Sequence, residues 1–230
     1  MTEPPEPAPH FHGHRQRLRA RLFAAGGDKM ADYELLELVL MLSIPRRDVK
    51  PLAKALIDQF GGFAAVIAAE KASLERVKGL GEGAVAALKL VEAAAVRLAK
   101  AEISDKPVIG SWTQLLDYCR ASMARAAVEQ FRVLFLDRKN RLIADEVQQT
   151  GTVDHTPVYP REIMKRALEL GASAVILVHN HPSGDPTPSR ADIEITKEVA
   201  RAAQALGVQL HDHLIVGRSG HTSFKSQGLL

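Results

Sequence analysis

The chain has 230 residues, enough to bury one large hydrophobic core or two small ones. Hydrophobic residues make up 46% and charged residues 25%, which is the composition of an ordinary soluble globular protein. No apolar run is long enough for a membrane span, and the N-terminus is too polar and proline-rich for a signal peptide, so we expect a cytoplasmic protein with no membrane partner. The single cysteine, Cys119, cannot form an internal disulfide, in agreement with a reducing compartment.

The net charge of +3 is too small to indicate a nucleic-acid partner by itself. Basic residues nevertheless cluster at the first predicted helix and after the second. They are Arg15, Arg17, Arg19, Arg21, Arg46, Arg47 and Lys50. A solvated helix surface is the ordinary explanation for such clusters, and contact with phosphates is the alternative.

The N-terminal half of the chain has the pattern of an arm followed by a helical domain. Residues 1–14 contain four prolines and almost no apolar periodicity, which predicts a disordered arm. Residues 15–104 predict a small all-helical domain, and the loss of apolar periodicity over residues 101–108 predicts the linker to a second domain at 108–230. The helices are expected at residues 15–25, 32–43, 48–60, 63–69, 73–78 and 82–104.

Two glycines lie between the last two of these helices, in the segment Val77-Lys78-Gly79-Leu80-Gly81. This segment resembles a helix-hairpin-helix motif, and residues 56–68 resemble the degenerate first half of a tandem pair. In such a hairpin the glycines let the backbone approach a phosphate, and the following helix offers free N–H groups. Lys78, Gly79 and Gly81 are therefore the candidate contacts to double-stranded DNA. The alternative is a tight turn that serves only protein contacts.

The second domain alternates helices and strands, which predicts an α/β architecture around a mixed sheet. Helices are expected at 111–125, 161–171 and 190–206, and strands at 131–136, 141–148, 173–178, 209–216 and 222–224. The segment 151–160 is expected to be a loop, and Asp154 and His155 within it could border a substrate groove.

The most informative stretch is Ala174–Thr196, in which an apolar strand ends at two histidines. Side chains alternate along a strand, so His179 and His181 face the same way. A proline- and glycine-rich loop follows, and Ser189 then has the place of a helix N-cap, with Asp192 on the first turn. Two imidazoles and one carboxylate are the protein ligands of a catalytic zinc, whose fourth position is left to water. Either half of the pattern alone would be ordinary strand or capping chemistry.

These residues carry a family resemblance. The order His-x-His, Ser and Asp at this spacing resembles the JAMM motif of JAB/MPN metalloproteases, and the string His-Asn-His-Pro-Ser-Gly is similar to their RadC-like branch. The segments 159–162 and 212–217 also resemble that branch. The resemblance implies a cytidine-deaminase-like α/β domain that binds one zinc ion and cleaves peptide or isopeptide bonds in a protein or peptide substrate. The historical label of this branch is DNA repair.

The resemblance also implies a general base, supplied in the family by a glutamate just before the first strand. Glu129 has that position, and Glu146 and Glu162 are the competitors. By the same resemblance, Ser189 helps to stabilise the oxyanion, although it could act only as a helix cap.

Other functions stay open. One is a DNA-associated scaffold with a structural metal, although structural zinc sites usually have four protein ligands. Another is a metal-dependent nuclease, although phosphodiester hydrolysis is better served by two metals. The second His-x-His, at His211 and His213, is expected to be structural. No P-loop is present, so no nucleotide cofactor is expected.

Overall fold

The computed structural model describes residues 13–104, 106–151, 158–218 and 220–230. The chain forms two compact units, Met1–Ala93 and Ala94–Leu230, and the division between them falls within one long helix. No described helix combines the length and the hydrophobicity that crossing a membrane requires.

The N-terminal unit is helical, as predicted. Its helices are α1 His14–Ala25, α2 Asp32–Ser43, α3 Lys50–Phe60, α4 Phe63–Ile67, α5 Lys71–Glu75 and α6 Glu82–Ser104. A short 3-10 helix at Gly27–Lys29 was not predicted. The helices enclose a core of buried leucines, which are Leu36, Leu40, Leu56, Leu74, Leu80 and Leu88. Gly61 ends α3 with a φ of 92°, a left-handed conformation that favours glycine.

The predicted arm over residues 1–14 needs a correction at its end. Residues 1–12 lie outside the described part of the chain. Gly13 and His14 do not continue an arm, because His14 begins α1 and its Nε2 lies 2.6 Å from the buried carboxylate of Glu37. This contact fixes the start of α1 on α2.

The linker predicted over residues 101–108 overlaps the helix predicted at 82–104, and over residues 101–104 the structure agrees with the helix. Helix α6 continues to Ser104, and Ile103 is fully buried in a core of the C-terminal unit. A 3-10 helix occupies Val108–Ser111. The domain bounds 15–104 and 108–230 stay predictions, and the two compact units of the chain divide earlier, within α6.

The C-terminal unit is an α/β domain, in agreement with the predicted fold class. After the end of α6, its elements are α7 Trp112–Met123, β1 Glu129–Leu136, β2 Leu142–Gly151, α8 Pro160–Glu169, β3 Ala174–Asn180, α9 Arg190–Ala205, β4 Gln209–Val216 and β5 His221–Ser223. Their order in the sheet is β2-β1-β3-β4-β5, with β3 and β4 parallel and the other described pairs antiparallel. The sheet is therefore mixed. Most of the predicted loop 151–160, with Asp154 and His155, lies outside the described residues.

Helices cover both faces of this sheet. Alternate residues of β3, such as Ile176 and Val178, pack with α7, while Val175 and Leu177 pack with α8 and α9. All residues of β3 are consequently buried. Cys119 belongs to the α7 core, and burial raises the pKa of its thiol to about 12, so it is a structural thiol rather than a nucleophile. The functional site forms where β3 leaves this buried environment.

Candidate metal centre

The first ligand position is set by the middle of the sheet. His179 is the penultimate residue of β3 and is paired with Phe131 on β1 and Ile215 on β4. Its side chain is fully buried. The His181 N–H donates to the carbonyl of Val216 at 3.1 Å, so the chain keeps its direction for two more residues. Both imidazoles therefore lie on the face that α8 and α9 cover.

The loop after His181 is held against the end of β4. Gly217 approaches it so closely that a Cβ at this position would lie 2.3 Å from the Gly184 carbonyl oxygen. Arg218 donates a hydrogen bond to the carbonyl of Pro182 at 2.8 Å. These contacts turn the chain back towards β3 and bring the Asp185 carbonyl within 2.8 Å of His181 Nδ1.

The third ligand comes from the first turn of α9. Ser189 is the N-cap, as predicted, and its Oγ accepts the Asp192 N–H at 3.1 Å. The Asp192 carboxylate in turn accepts the Ser189 N–H at 2.7 Å and the Ser189 hydroxyl at 2.6 Å. This reciprocal capping box fixes the carboxylate on the side of the helix that faces the histidines.

The three predicted metal ligands converge. His179 Nε2 lies 3.0 Å from His181 Nε2 and 3.2 Å from Asp192 Oδ1, and His181 Nε2 lies 3.6 Å from Asp192 Oδ2. Within the described ranges, these residues form the one group of three or more ligand-type side chains that could hold a metal ion. A tetrahedral zinc with Zn–N distances of about 2.0–2.1 Å places neighbouring ligand atoms roughly 3.3 Å apart. The three side chains therefore fit a metal ion.

The hydrogen bonding of the rings supports the same conclusion. A carbonyl oxygen only accepts, so His181 Nδ1 donates its proton to Asp185 and the neutral ring presents a lone pair at Nε2. Asp192 is also an acceptor. Acceptor atoms this close together repel one another unless a proton or a cation lies between them.

A proton and a metal ion compete for this place. The hydrogen bond to Asp192 raises the pKa of His181. Burial raises the pKa of the Asp192 carboxyl, but hydrogen bonds with His179 and His181 outweigh burial and hold that pKa well below its usual range. The carboxylate is thus ionised, and a cation bound at this place would displace the imidazole proton.

Glu129 is the predicted general base that lies beside this group. It begins β1, and continuing the antiparallel register from the Phe131–His179 pair places it alongside His181. The pKa of Glu129 is raised overall, and burial is the largest cause. The nearby histidines lower this pKa, and the charge of Asp192 raises it. These interactions show that the carboxylate lies within electrostatic reach of all three ligands.

Asn180 holds the backbone around Glu129. Its side chain is fully buried, its Oδ1 accepts the Gln130 N–H at 2.8 Å, and its Nδ2 donates to the Val128 carbonyl at 3.2 Å. Both groups belong to the peptide bonds that flank the position of Glu129. The residue between the two histidines therefore connects the ligand strand to the strand of the general base.

The two competing glutamates lie elsewhere. Glu146, on β2, forms a bidentate pair with Arg166 at 2.7–3.0 Å, which lowers the pKa of Glu146. Glu162 lies in the first turn of α8 and pairs with the exposed Arg161 at 3.1 Å. Among the three candidates, Glu129 is the one with an electrostatic interaction with the three predicted metal ligands.

Three residues of this neighbourhood were not found from sequence, namely Asn180, Thr196 and His213. His213 was interpreted as part of a structural His-x-His, yet its Nε2 lies 2.8 Å from His179 Nδ1. The spacing of His213 from the ligands gives no sign of this contact, because it depends on the pairing of β3 with β4. His211 points elsewhere, with its Nε2 2.7 Å from Asn140 Oδ1.

The predicted DNA contacts lie in the N-terminal unit. Gly79 has a φ of 90°, and its carbonyl accepts a hydrogen bond from Arg47 at 2.7 Å. The carbonyl of Gly81 accepts the N–H groups of Ala84 and Val85 at the start of α6. Lys78 is exposed beside this turn. The hairpin therefore carries Arg47 in addition to the residues predicted from sequence.

Comparison with known proteins identifies the relationship. The sequence profile described as RadC-like JAB domain matches residues 109–229, and the profile described as UPF0758 N-terminal matches residues 12–86. The chain belongs to the RadC-like JAB domain family. A curated relative, the UPF0758 protein of Rhodobacter capsulatus, is 61% identical over 213 residues, which cover 93% of this chain and 100% of the relative. The resemblance inferred from the JAMM residues is thereby confirmed, and membership in this family supports the fold of a JAMM-type metal-dependent hydrolase.

The capping geometry predicts the cost of losing the Ser189 hydroxyl. Ser189→Ala is expected to lower the free energy of unfolding by about 1 kcal/mol, because the N-cap bond to Asp192 is lost. Chemical denaturation measures this change, and Ser189→Thr, which keeps a hydroxyl, should retain most of the stability. An unchanged stability of Ser189→Ala would contradict a capping role in solution.

Proposed function

We propose that the protein is a zinc-dependent hydrolase of the JAMM type that cleaves a peptide or isopeptide bond in a protein or peptide substrate. The observation that carries the proposal is the convergence of three ligand-type side chains, those of His179, His181 and Asp192, whose nitrogen and oxygen atoms lie 3.0–3.6 Å apart beside the carboxylate of Glu129. Three protein ligands leave one coordination position for water or substrate, which is the arrangement of catalytic rather than structural zinc.

The accessibility of the group agrees with this role. The side chain of His179 is fully buried, while those of His181 and Asp192 are 18% and 14% exposed, and Glu129 is half-buried. The ligand group is therefore closed on the side of the sheet and open on the side of His181. A substrate carbonyl can approach the ligands where the side chains of His181 and Asp192 are exposed.

The residues have distinct roles in the proposed reaction. A bound zinc ion lowers the pKa of its water ligand to about 7 and polarises a carbonyl group. Glu129 takes the proton from the attacking water and later delivers it to the leaving amine. Its raised pKa suits both transfers, since a base works best when its pKa lies near the working pH. Ser189 stabilises negative charge on the substrate oxygen, for which its hydroxyl must turn away from Asp192.

The proposal is tested with the full-length chain and a library of peptides and isopeptide-linked peptides. We expect cleavage with zinc, loss of cleavage with a chelator, and recovery when zinc is added back, as followed by mass spectrometry. A duplex DNA sample in the same assay distinguishes the alternatives. DNA cleavage without peptide cleavage would favour the nuclease, and zinc binding without any cleavage would favour the scaffold.

We further propose that the N-terminal unit binds the backbone of double-stranded DNA through its hairpin. Arg47, which donates to the Gly79 carbonyl, and the exposed Lys78 place positive charge at this turn, and Arg15 holds Arg47 in place by donating to its carbonyl at 2.8 Å. Arginine, lysine and backbone N–H groups are the usual phosphate contacts, and they act without reading sequence. This proposal is independent of the metal centre.

Lys78→Glu is expected to weaken duplex binding by about 10-fold or more at low salt, because it replaces a phosphate contact by a repulsive charge. The effect should shrink as salt is raised, and titrations by fluorescence anisotropy measure both. Gly79→Glu is less informative, since any side chain at a φ of 90° strains the turn and meets Arg47. Ala72→Glu, on the exposed surface of α5, is the control for added negative charge, and it changes the net charge by one unit where Lys78→Glu changes it by two. Equal weakening by Ala72→Glu and Lys78→Glu would reject the hairpin as the contact.

A further inference from the structure

His213 lies behind the candidate metal centre, away from the opening. Its side chain is fully buried, its ring stacks on Phe224 at a centroid distance of 4.6 Å, and Phe131 contacts its edge at 5.5 Å. Phe131 also stacks on the ring of His179 at 5.9 Å. The two imidazoles are thus held in fixed planes between aromatic rings, and they face each other through His179 Nδ1 and His213 Nε2 at 2.8 Å.

A continuous set of hydrogen bonds leads from His213 back to a metal ligand. His213 Nδ1 lies 2.6 Å from the hydroxyl of Thr196, and that hydroxyl lies 2.5 Å from the main-chain carbonyl of Asp192. Thr196 is one helical turn after Asp192 on α9, so the contact to the carbonyl is local. The chain of contacts therefore runs from His179 through His213 and Thr196 to the residue that carries the third ligand.

The direction of each proton in this chain can be derived. A hydroxyl has one proton, and two oxygens 2.5 Å apart require it between them, so Thr196 donates to the Asp192 carbonyl. Its oxygen must then accept from His213 Nδ1. His213 is fully buried between Phe131 and Phe224, and apolar surroundings disfavour a charged ring, so the neutral ring has its one proton on Nδ1 and none on Nε2. His213 Nε2 therefore accepts from His179 Nδ1.

These proton positions determine whether His179 Nε2, the nitrogen that faces the candidate metal centre, carries a proton. A neutral imidazole with its proton on Nδ1 has a lone pair on Nε2, and Nε2 is the atom that faces His181 and Asp192. The opposite tautomer would put a proton where the metal ion must bind. His181 obtains the same tautomer from an ordinary carbonyl, that of Asp185. The partner of His179 is another histidine, and a neutral histidine can either donate or accept a hydrogen bond. The direction of the hydrogen bond between the two rings must therefore be fixed by a further contact.

We infer that Thr196 and His213 are positioning residues that hold His179 in its metal-binding tautomer, with the Thr196 hydroxyl deciding the direction of every proton in the chain. This inference rests on the proposed metal centre. The same threonine also contacts the main chain of Asp192, so one hydroxyl connects two of the three ligands.

The experiment measures the tautomer and the metal affinity separately. Long-range ¹H–¹⁵N correlation spectra of the metal-free full-length chain report which ring nitrogen carries the proton, and His213→Gln helps to assign the coupled rings. We expect His179 to have its proton on Nδ1 in the unmodified protein. Thr196→Val, which removes the hydroxyl at nearly constant volume, should allow the other tautomer and lower the zinc affinity by about 10-fold to 100-fold, as measured by chelator competition.

Two further variants separate positioning from general destabilisation. Thr196→Ser restores a hydroxyl and should restore both the tautomer and the zinc affinity. Val199→Ala removes a buried apolar group from the same helix and should lower the melting temperature while zinc affinity is kept. If Thr196→Val does not fold, the spectrum of the unmodified protein still shows which ring nitrogen of His179 carries the proton, and this result tests the inference.

A proton on Nε2 of His179 in the unmodified protein would overturn the inference, as would unchanged zinc affinity in folded Thr196→Val. Neither measurement uses hydrolysis. Failure of the proposed hydrolase would therefore appear as zinc binding without cleavage, while failure of this inference would appear as zinc binding that is indifferent to Thr196.

Discussion

Replacing His179 by alanine is expected to remove zinc binding, from about one ion per chain to almost none, with a loss of affinity greater than about 100-fold. The reason is that His179 supplies one of three protein ligands and makes the two shortest contacts in the group, at 3.0 Å to His181 and 3.2 Å to Asp192. Asp192→Asn should have a similar effect, because the amide keeps the size of the side chain and loses its charge. Elemental analysis and chelator competition on the purified protein measure both variants.

The controls for this prediction come from the same unit. His221→Ala removes a histidine from β5, and Asp117→Asn removes an exposed carboxylate from α7, and neither residue belongs to the ligand group. Both variants should keep about one zinc per chain. Asp192→Asn also keeps an oxygen that can accept the Ser189 N–H, so a melting temperature close to that of the unmodified protein is expected. Full zinc content in both His179→Ala and Asp192→Asn would mean that the ion binds elsewhere.

The ligand residues could be predicted from sequence because they are close together in the chain. His179 and His181 lie at the end of one strand, so alternation of side chains places them on one face. Asp192 follows after a short loop with its own capping signal at Ser189, and this local signal fixes the start of α9. Strand, loop and helix are all defined by neighbouring residues, and no long-range pairing is needed to join the three ligands.

The residues that support the ligands could not be predicted in this way. His213 reaches His179 only because β4 pairs with β3 in parallel, and a register shift between Val175 and Ile176 decides which residue stands opposite which. A shift of one residue would turn His213 to the opposite face of the sheet. The contact of Asn180 with the peptides around Glu129 likewise depends on the pairing of β3 with β1. Such registers are properties of the assembled sheet rather than of any one segment.

The error at the predicted linker has a local cause. Two predictions overlapped here, since a helix was expected to continue to residue 104 while Ser104, Asp105 and Pro107 indicated a linker from Ala101 onwards. Proline restricts mainly the residue before it, however, and does not prevent a helix that ends three residues earlier. Ile103 has an apolar core to pack against, which stabilises the last turn of α6. Ala101 and Glu102 are also good helix formers, so local propensity and tertiary packing both favour this turn.

Glu129→Gln is expected to reduce peptide hydrolysis by about 10²-fold to 10⁴-fold, the usual contribution of a general base. Zinc affinity should change by less than about threefold, since Glu129 is not one of the three ligands and glutamine has the same shape. The separation of turnover from metal binding is the distinguishing result. Loss of zinc in Glu129→Gln would instead assign the carboxylate to the metal.

The pH dependence of the same reaction gives an independent measurement. Glu129 accepts a proton only when it is ionised, and burial raises its pKa, so the ionised fraction falls at a higher pH than for an exposed glutamate. Hydrolysis should therefore be present above the raised pKa and be lost as the pH falls through it, with an acid limb above the ordinary glutamate value of about 4.3. Glu146→Gln and Glu162→Gln, at glutamates that pair with arginines, should keep both the rate and this acid limb. If Glu162→Gln moved the limb and Glu129→Gln did not, the general base would be Glu162, and the carboxylate beside His181 would serve only to attract the cation.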